Sequence, residues 1–515
     1  VRPQRVYGHL RPPTPEQLQE YAARHHITLS PGQAVELLPT VAGMLSVFDT
    51  IDELPEPVVP VVAATRDPGR APTAEEDPYN AFIRFCDVRG AGEGPLAGVR
   101  VAVKDCIAVA GVPMTNGSRM QPRAVPAEDA VVVERLLTAG ATIVGKANME
   151  DMAMGGGEGS VYGAARNPVD PRYSGGGSSS GSAVAVAAGM ADVALGADEA
   201  GSVRIPAAYC GLVGMKATHG LVPSYGLTYM DHTLDHIGPI TTTVADNARV
   251  LQVIAGPDWR DAQWVRGDVE PDDYLSGIGD GVAGRTFAVV EEALAPIGCS
   301  PDVLTAFEQA CAVLTAAGAT IRRVSIPLWL SAWPIESAFL TFAIRAMLDS
   351  GGAGYGHLGR IDVAATATLA AQLRTSADDL AAVEKLMLMT GEHLRDAYLG
   401  THYGKAQNLR LELRRQVERA LDGNDLLLTP TTPTVAWELL EHPVGMVELV
   451  DRISGDSILN TCPLDLTGHP ALTVPAGTGE HGLPVGLQLI GPRLGEARLY
   501  QAGAVVEAAL GGTAG

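Results

Sequence analysis

The 515-residue chain reads as an α/β protein, a single large domain with a central mixed β-sheet flanked by helices, preceded by an N-terminal helical extension. Three observations lead there. From about Asn80 onward, short β-branched runs alternate with Ala/Leu/Val-rich segments; residues 14–54 carry apolar side chains at helical spacing; and a Pro-rich stretch separates the two regimes.

Taken in order, Leu18, Tyr21, Ala22, Ile27, Val35, Leu38, Val41, Leu45 and Val47 predict two or three helices, broken near Ser30-Pro31-Gly32. The stretch Pro55 to Pro72, followed by Glu75, Glu76 and Asp77, disfavours regular structure and reads as a linker. This gives a helical segment and linker over 1–75, expected to serve in packing or self-association as a homodimer, and a main domain over 76–515. Strands are expected at Val99–Val103, Ala141–Val144, Val193–Leu195 and Thr286–Val290, with a helical segment at Asp129–Ala139. Residues 330–420 form a helical excursion, after which Asp425–Leu428, Ala471–Val474 and Val485–Ile490 return to the sheet.

Composition narrows the function. With 46% hydrophobic and 19% charged residues the chain can bury a large core, and no uninterrupted apolar run reaches the ~18–20 residues of a membrane span. A formal charge of −22 repels phosphate backbones and anionic lipid, so neither nucleic acid nor membrane is expected as a partner. The six cysteines are scattered without a C-x-x-C pair, which fits reduced thiols and a cytoplasmic location. The polar segment Val1–Leu10 does not read as a secretory signal. No metal or cofactor is expected: His219, His232 and His236 lack acidic partners at a repeated ligand spacing apart from Asp231 and Asp235, and packing or surface roles are assigned to them.

The densest local signal is Ser174-Gly-Gly-Gly-Ser-Ser-Ser-Gly-Ser182. A phosphate-cradling loop is the first reading of such a segment, but no G-x-x-x-x-G-K-[ST] is present, and no G-x-G-x-x-G stands between strand and helix with an acid downstream. A second cluster, Ala197-Asp-Glu-Ala-Gly-Ser-Val-Arg-Ile-Pro206, places Ser202 after small residues whose N–H groups can converge on a carbonyl oxygen. A third, Val101-Ala-Val-Lys104-Asp105, ends an apolar run in a lysine, which burial would turn towards the neutral, proton-accepting amine.

Together these elements resemble the amidase signature enzymes. Gly176-Gly-Ser-Ser-Ser-Gly-Ser-Ala183 is similar to their G-G-S-S-G-G-S-A, and Ala197–Ala207 to T-D-x-G-G-S-I-R-x-P-A. Cys210–Lys216, Gly145-Lys-Ala-Asn148, Arg166-Asn-Pro168, Leu234–Pro239, Thr429–Pro433 and Gly482–Gln488 extend the match from about Asn80 to the C-terminus. The N-terminal segment looks like that of the nitrile-pathway amidases, which tend to be dimeric. The resemblance implies a Ser-cis-Ser-Lys triad: Ser202 as nucleophile, Ser178 as the bridging serine after a cis peptide, and Lys104 as base. It further implies an oxyanion hole from the N–H groups of Glu199, Ala200, Gly201 and Ser202, and substrate contacts at Met154, Gly155 and Gly156. The implied activity is hydrolysis of a small-molecule carboxamide through an acyl-enzyme. Acyl transfer, or a glutamine-hydrolysing subunit of a transfer-RNA amidotransferase, is the alternative; a scaffold that kept only the fold is the minor one.

Three positions depart from the family pattern. Ala197 stands for a threonine, Ala200 for the first glycine before the nucleophile, and Ser180 for a glycine. A positive φ at residue 200 would cost alanine about 1–2 kcal/mol and reshape the loop. Glu199 is expected to point outward and contribute only its N–H, Arg204 to pair with Asp198, and Asp105 to act as a structural hydrogen-bond partner. Trp329, Trp333, Ile335, Phe339 and Phe342 are candidates for the pocket entrance or for core.

Overall fold

The computed structural model describes residues 10–511 apart from 63–64, 121–123, 155–158, 262–271, 351–358 and 441–455. It divides into two compact units, residues 1–60 and 61–515.

In the first unit, helices run over Pro15–Arg24 and Pro31–Glu53. Each starts at a capping box: Thr14 and Ser30 accept from the N–H of Gln17 and Gln33, whose side chains reach back to the cap N–H, and a proline follows each cap. The second helix is long and apolar enough to cross a membrane by length and composition. The expectation from uninterrupted runs missed this because Glu36, Thr40 and Ser46 punctuate the segment while adding little charge. Val35, Met44, Val47, Phe48 and Ile51 are exposed on it.

The second unit is built on one mixed sheet, with twelve strands among the described residues. They are β1 (Thr65–Arg70), β2 (Phe82–Arg89), β3 (Arg100–Lys104), β4 (Thr142–Ala147), β5 (Val193–Asp198) and β6 (Val213–Lys216), then β7 (His236–Thr241), β8 (Thr286–Val290), β9 (Thr320–Val324), β10 (Leu426–Pro430), β11 (Ala471–Thr478) and β12 (Pro484–Ile490). The spatial order is β1-β2-β4-β3-β5-β7-β6-β11-β12-β10-β8-β9. β3 lies parallel between β4 and β5, β8 parallel between β10 and β9, and the other pairings are antiparallel.

Every strand expected from sequence is present, and the fold class is as read. The differences lie at the edges. β1 occupies the stretch read as linker, so the unit boundary falls at Pro60 rather than near residue 75. Its Pro68 and Gly69 are tolerated because β1 is an edge strand whose register slips between Asp67 and Arg70. The excursion resolves into helices Ala332–Asp349, Val363–Ser376, Ala382–Tyr398 and His402–Leu421.

The central strands β3, β5 and β7 are buried nearly throughout, which explains their continuous apolar sequences. Val101, Val103 and Leu195 share one core with Leu136, Leu137 and Leu251. On the other face Ala102 and Ala194 pack with Ala183, Val184 and Val203. Small residues are required there. A Cβ at Gly196 would press on Ser179 Oγ and Val203 Cγ2, at 2.8 and 2.9 Å.

Candidate active site

The pocket forms where β3 and β5 end. Lys104 closes β3 and is wholly buried. Its Nζ donates to Ser178 Oγ (2.8 Å) and to the Ala197 carbonyl (3.2 Å). Ser178 belongs to the glycine-serine loop, which leads into the helix Ser180–Ala187, and the Gly177–Ser178 peptide is cis. Gly176 is held at φ +81°, and a Cβ there would lie 2.7 Å from Pro206 Cα, so glycine lets this loop sit against the helix Arg204–Tyr209. Ser179 Oγ donates to Ala197 O (3.1 Å) and accepts from Ala197 N (3.2 Å), knitting the loop to the end of β5.

β5 runs out at Asp198, and the turn 199–203 carries Ser202 into the pocket. Asp198 organises that turn. It accepts from the N–H of Gly201 (2.7 Å) and Val203 (3.1 Å) and pairs with Arg204 at 2.9 and 3.0 Å. Arg204, fully buried, also reaches Asp465 (2.6 Å), Gln488 Oε1 (2.9 Å) and the Thr461 carbonyl (2.9 Å). Burial pushes the Asp198 carboxyl up, but the Arg204 charge wins and holds it at about 2. The expected Arg204–Asp198 pair is thus the centre of a larger network. Asp465 and Thr461 escaped the sequence reading; an aspartate inside the apolar run Cys462-Pro-Leu-Asp-Leu466 was the available signal.

The loop departs from expectation in three ways. Ala200 is not among the residues with positive φ, so alanine costs nothing there; the left-handed position is Gly201, at +127°, where a Cβ would collide with the Thr461 side chain. The Gly201 N–H is already satisfied by Asp198 (2.7 Å) and is not free for the oxyanion role expected of it. Glu199 does not point outward. It is 7% exposed, and neither carboxyl oxygen has a hydrogen-bond partner among the described residues. Burial, reinforced by Asp235, Glu336, Asp231 and Asp465, pushes its pKa well up and so favours the neutral form of this side chain.

Lys104, Ser178, Ser202, Glu199, Ala200 and Met154 all line one cavity of about 890 Å³, open solvent at its mouth included. Gly155 and Gly156 lie outside the described residues. Ile205, Trp333, Leu340, Val383, Met387, Trp437 and Ile458 supply an apolar wall, and Asp235 joins Asp198 and Glu199 as a third acid of the lining. Of the excursion aromatics, Trp333 reaches this wall. Trp329, Ile335 and Phe339 are core, and Phe342 packs on Tyr403. Asp105 is structural, as expected: it accepts from Thr115 N (2.8 Å) and Oγ1 (2.6 Å) and lies 3.4 Å from Lys146 Nζ. Ser180 opens its helix beside Glu150, whose carboxyl burial raises to about 7 against the pull of Lys104. His219 and His236 pack edge to face, and His236 Nε2 lies 3.3 Å from Lys216 Nζ. Among the described residues no group of three His, Cys, Asp or Glu side chains is arranged to hold a metal ion.

A family model described as Amidase matches residues 86–500. The chain belongs to the amidase family. Amide C–N cleavage is the reaction class this membership carries, and the matched span holds β3 to β12 and the end of β2. A glutamyl-tRNA(Gln) amidotransferase subunit of Halobacterium salinarum is 41% identical over 439 residues, covering 83% of this chain and 99% of the relative. The Exiguobacterium protein of the same name is 38% identical over 472 residues, covering 90% and 95%. The solved structure of the same amidotransferase component from Thermotoga maritima superposes with a TM-score of 0.67 at 33% identity, covering 82% of this chain and 86% of that one. The 6-aminohexanoate cyclic dimer hydrolase bound to its substrate gives 0.71 at 27% identity, covering 81% and 86%.

These relatives overturn the expected partner set, a small molecule alone with nucleic acid excluded. Proteins this similar are named as subunits of an assembly acting on glutamyl-tRNA(Gln). The exclusion rested on a net charge of −22, which describes the average field of one chain. A protein that supplies one reaction to an assembly need not itself hold the RNA.

Proposed function

We propose that this amidase-family chain is the amide-hydrolysing, ammonia-releasing component of an amidotransferase, acting through an acyl-enzyme on Ser202. The observation that carries the chemistry is the Lys104 Nζ to Ser178 Oγ hydrogen bond in the pocket that holds Ser202. The near full-length match to amidotransferase relatives supports the assignment to such an assembly.

Ser202 Oγ attacks the carboxamide carbon while its proton passes to Ser178, whose own proton passes to Lys104 Nζ acting as the base. The N–H groups of Glu199, Ala200 and Ser202 receive the oxyanion; losing one such donor typically costs about 10²–10³ in rate. Lys104 returns the proton through Ser178 to the leaving nitrogen, the C–N bond breaks, and ammonia departs. Water then attacks the ester by the reversed relay, releasing acid and free Ser202. The six free cysteines support a reducing, cytoplasmic setting.

A second reading, a free-standing amidase for carboxamides with a bulky apolar acyl group, is favoured by the wall of Trp333, Leu340, Val383, Met387 and Trp437. Ammonia release from glutamine and from simple aliphatic and aromatic amides, measured with and without the remaining amidotransferase subunits, separates the two. Glutamine turnover that rises on adding those subunits supports the first; full turnover of apolar amides by the isolated chain, with none of glutamine, replaces it with the second.

A further inference from the structure

Glu199 presents a chemical demand that the hydrolytic relay does not use. It lies three residues before the nucleophile, lines the pocket, is 7% exposed, and leaves both carboxyl oxygens without a hydrogen-bond partner among the described residues. A buried carboxyl without a partner is costly, so its place next to reacting atoms calls for a partner that arrives with the ligand.

Asp235 faces the same cavity. It is rigidly held, its Oδ2 accepting from the N–H of Met230 (2.8 Å) and Asp231 (2.9 Å). The other acid of the lining, Asp198, is consumed by Arg204. Lys104 is the one cation among the described lining residues, and it is bonded to Ser178 Oγ and Ala197 O. The pocket therefore offers acceptors and acid groups to a ligand, and no uncommitted positive charge. Behind Glu199 stand Glu336, Asp231 and Asp465, which add negative potential whenever they ionise.

We propose that Glu199 and Asp235 form a receptor for a primary ammonium group on the substrate, so that the preferred substrates are ammonium-bearing carboxamides whose remaining body is apolar. The inference rests on the amide-hydrolysing reading that both alternatives above share, and its substrate class fits the free-standing amidase, since the carboxylate of glutamine finds no uncommitted cation among the described lining residues. Before binding, burial and the neighbouring acids favour the acid form of Glu199. An ammonium group entering the pocket supplies three N–H donors and a positive charge; the Glu199 proton leaves to solvent, and the ion pair satisfies the oxygens that lacked a partner. A neutral amide of the same length leaves them unsatisfied. The apolar wall of Trp333, Leu340 and Met387 fits the methylene body between the two polar ends.

The test compares 5-aminopentanamide with hexanamide, which differ only in an ammonium for a methyl. Binding is measured by calorimetry on the full chain carrying Ser202→Ala, so that it does not depend on turnover, and kcat/KM is measured on the intact chain. The expected result is at least tenfold tighter binding of the ammonium amide, with the ratio falling to about one when Glu199→Gln is added to Ser202→Ala. Equal binding of the two amides, or a preference that survives Glu199→Gln, overturns the receptor and leaves the Ser202 chemistry standing. Selective binding that depends on Glu199, without turnover of either amide by the intact chain, supports the receptor and counts against the hydrolytic reading. Because the first comparison needs no substitution at Glu199, it decides even if that variant folds poorly.

Discussion

Replacing Arg204 by methionine removes the charge around which the nucleophile turn is built. Arg204 is fully buried and makes five hydrogen bonds, three to the carboxylates of Asp198 and Asp465 and two to Gln488 and Thr461. Methionine is about as long but offers no donor, so Asp198 and Asp465 are left buried together. Breaking a buried pair in this way costs about 3–5 kcal/mol, a large share of the ~5–15 kcal/mol that holds a domain together. The loss has a pH signature. With Arg204 present, Asp198 titrates at about 2, below its ordinary 3.8, so its contribution is full above 3.8 and fades only as pH falls through about 2. Without Arg204, only the weaker pulls of Lys216 and the Val203 N–H oppose burial, which raises the carboxyl, and its contribution is then present in acid and lost as pH rises. Urea unfolding followed by circular dichroism at pH 4.5 and pH 7.5 should show a deficit of about 3–5 kcal/mol that is smaller at the lower pH. Activity should fall further than stability, because Asp198 also holds the N–H groups of Gly201 and Val203. A variant within about 0.5 kcal/mol of the parent, or a deficit that grows in acid, refutes the reasoning.

Three further outcomes follow from the same geometry. Gly201→Ala forces a side chain onto a left-handed backbone and into Thr461, and should lose about 2–4 kcal/mol in urea unfolding together with Ser202 labelling by a fluorophosphonate. Lys104→Met should retain the fold and lower kcat by about 10²–10⁴, measured as ammonia release, since Nζ is the group bonded to Ser178 Oγ. Burial first, then Asp151, raises the Glu384 carboxyl from 4.5 to about 8. The native state thus holds a proton that the unfolded chain has lost, and stability falls as pH rises from about 4.5 to about 8; Glu384→Gln should flatten that decline in unfolding midpoints taken across the window.

How much of the fold is legible in the sequence follows from how each segment is buried. Strands such as β3 and β5 have both faces covered, and their apolar runs announce themselves; the site is legible for a related reason, since a lysine ending β3, a glycine-serine loop and a nucleophile turn are local features of sequence. β1 reads as linker because Pro68 and Gly69 are acceptable only on an edge, and edge position is a property of the sheet. Glu199 reads as solvent-facing because a lone acid beside an oxyanion hole is unfavourable when ionised. Its burial, reinforced by Asp235, Glu336, Asp231 and Asp465, disfavours the ionised form, and those neighbours come from other segments of the chain. The Ala200 strain expected from the motif is absent because the turn places its positive φ one residue later, where Asp198 fixes the Gly201 N–H. The partner expectation failed for a different reason: net charge belongs to the chain, whereas partners belong to an assembly.

The central claim is that Ser202 carries the acyl group. Rapid-quench mass spectrometry of the intact chain with a slowly deacylating carboxamide tests it most directly. The account predicts a mass increase equal to the acyl group minus one proton, mapped to the Ser202 peptide, removable by hydroxylamine and abolished by Ser202→Ala. Turnover of the amide with the acyl group on another residue, or undiminished turnover by Ser202→Ala, would contradict it.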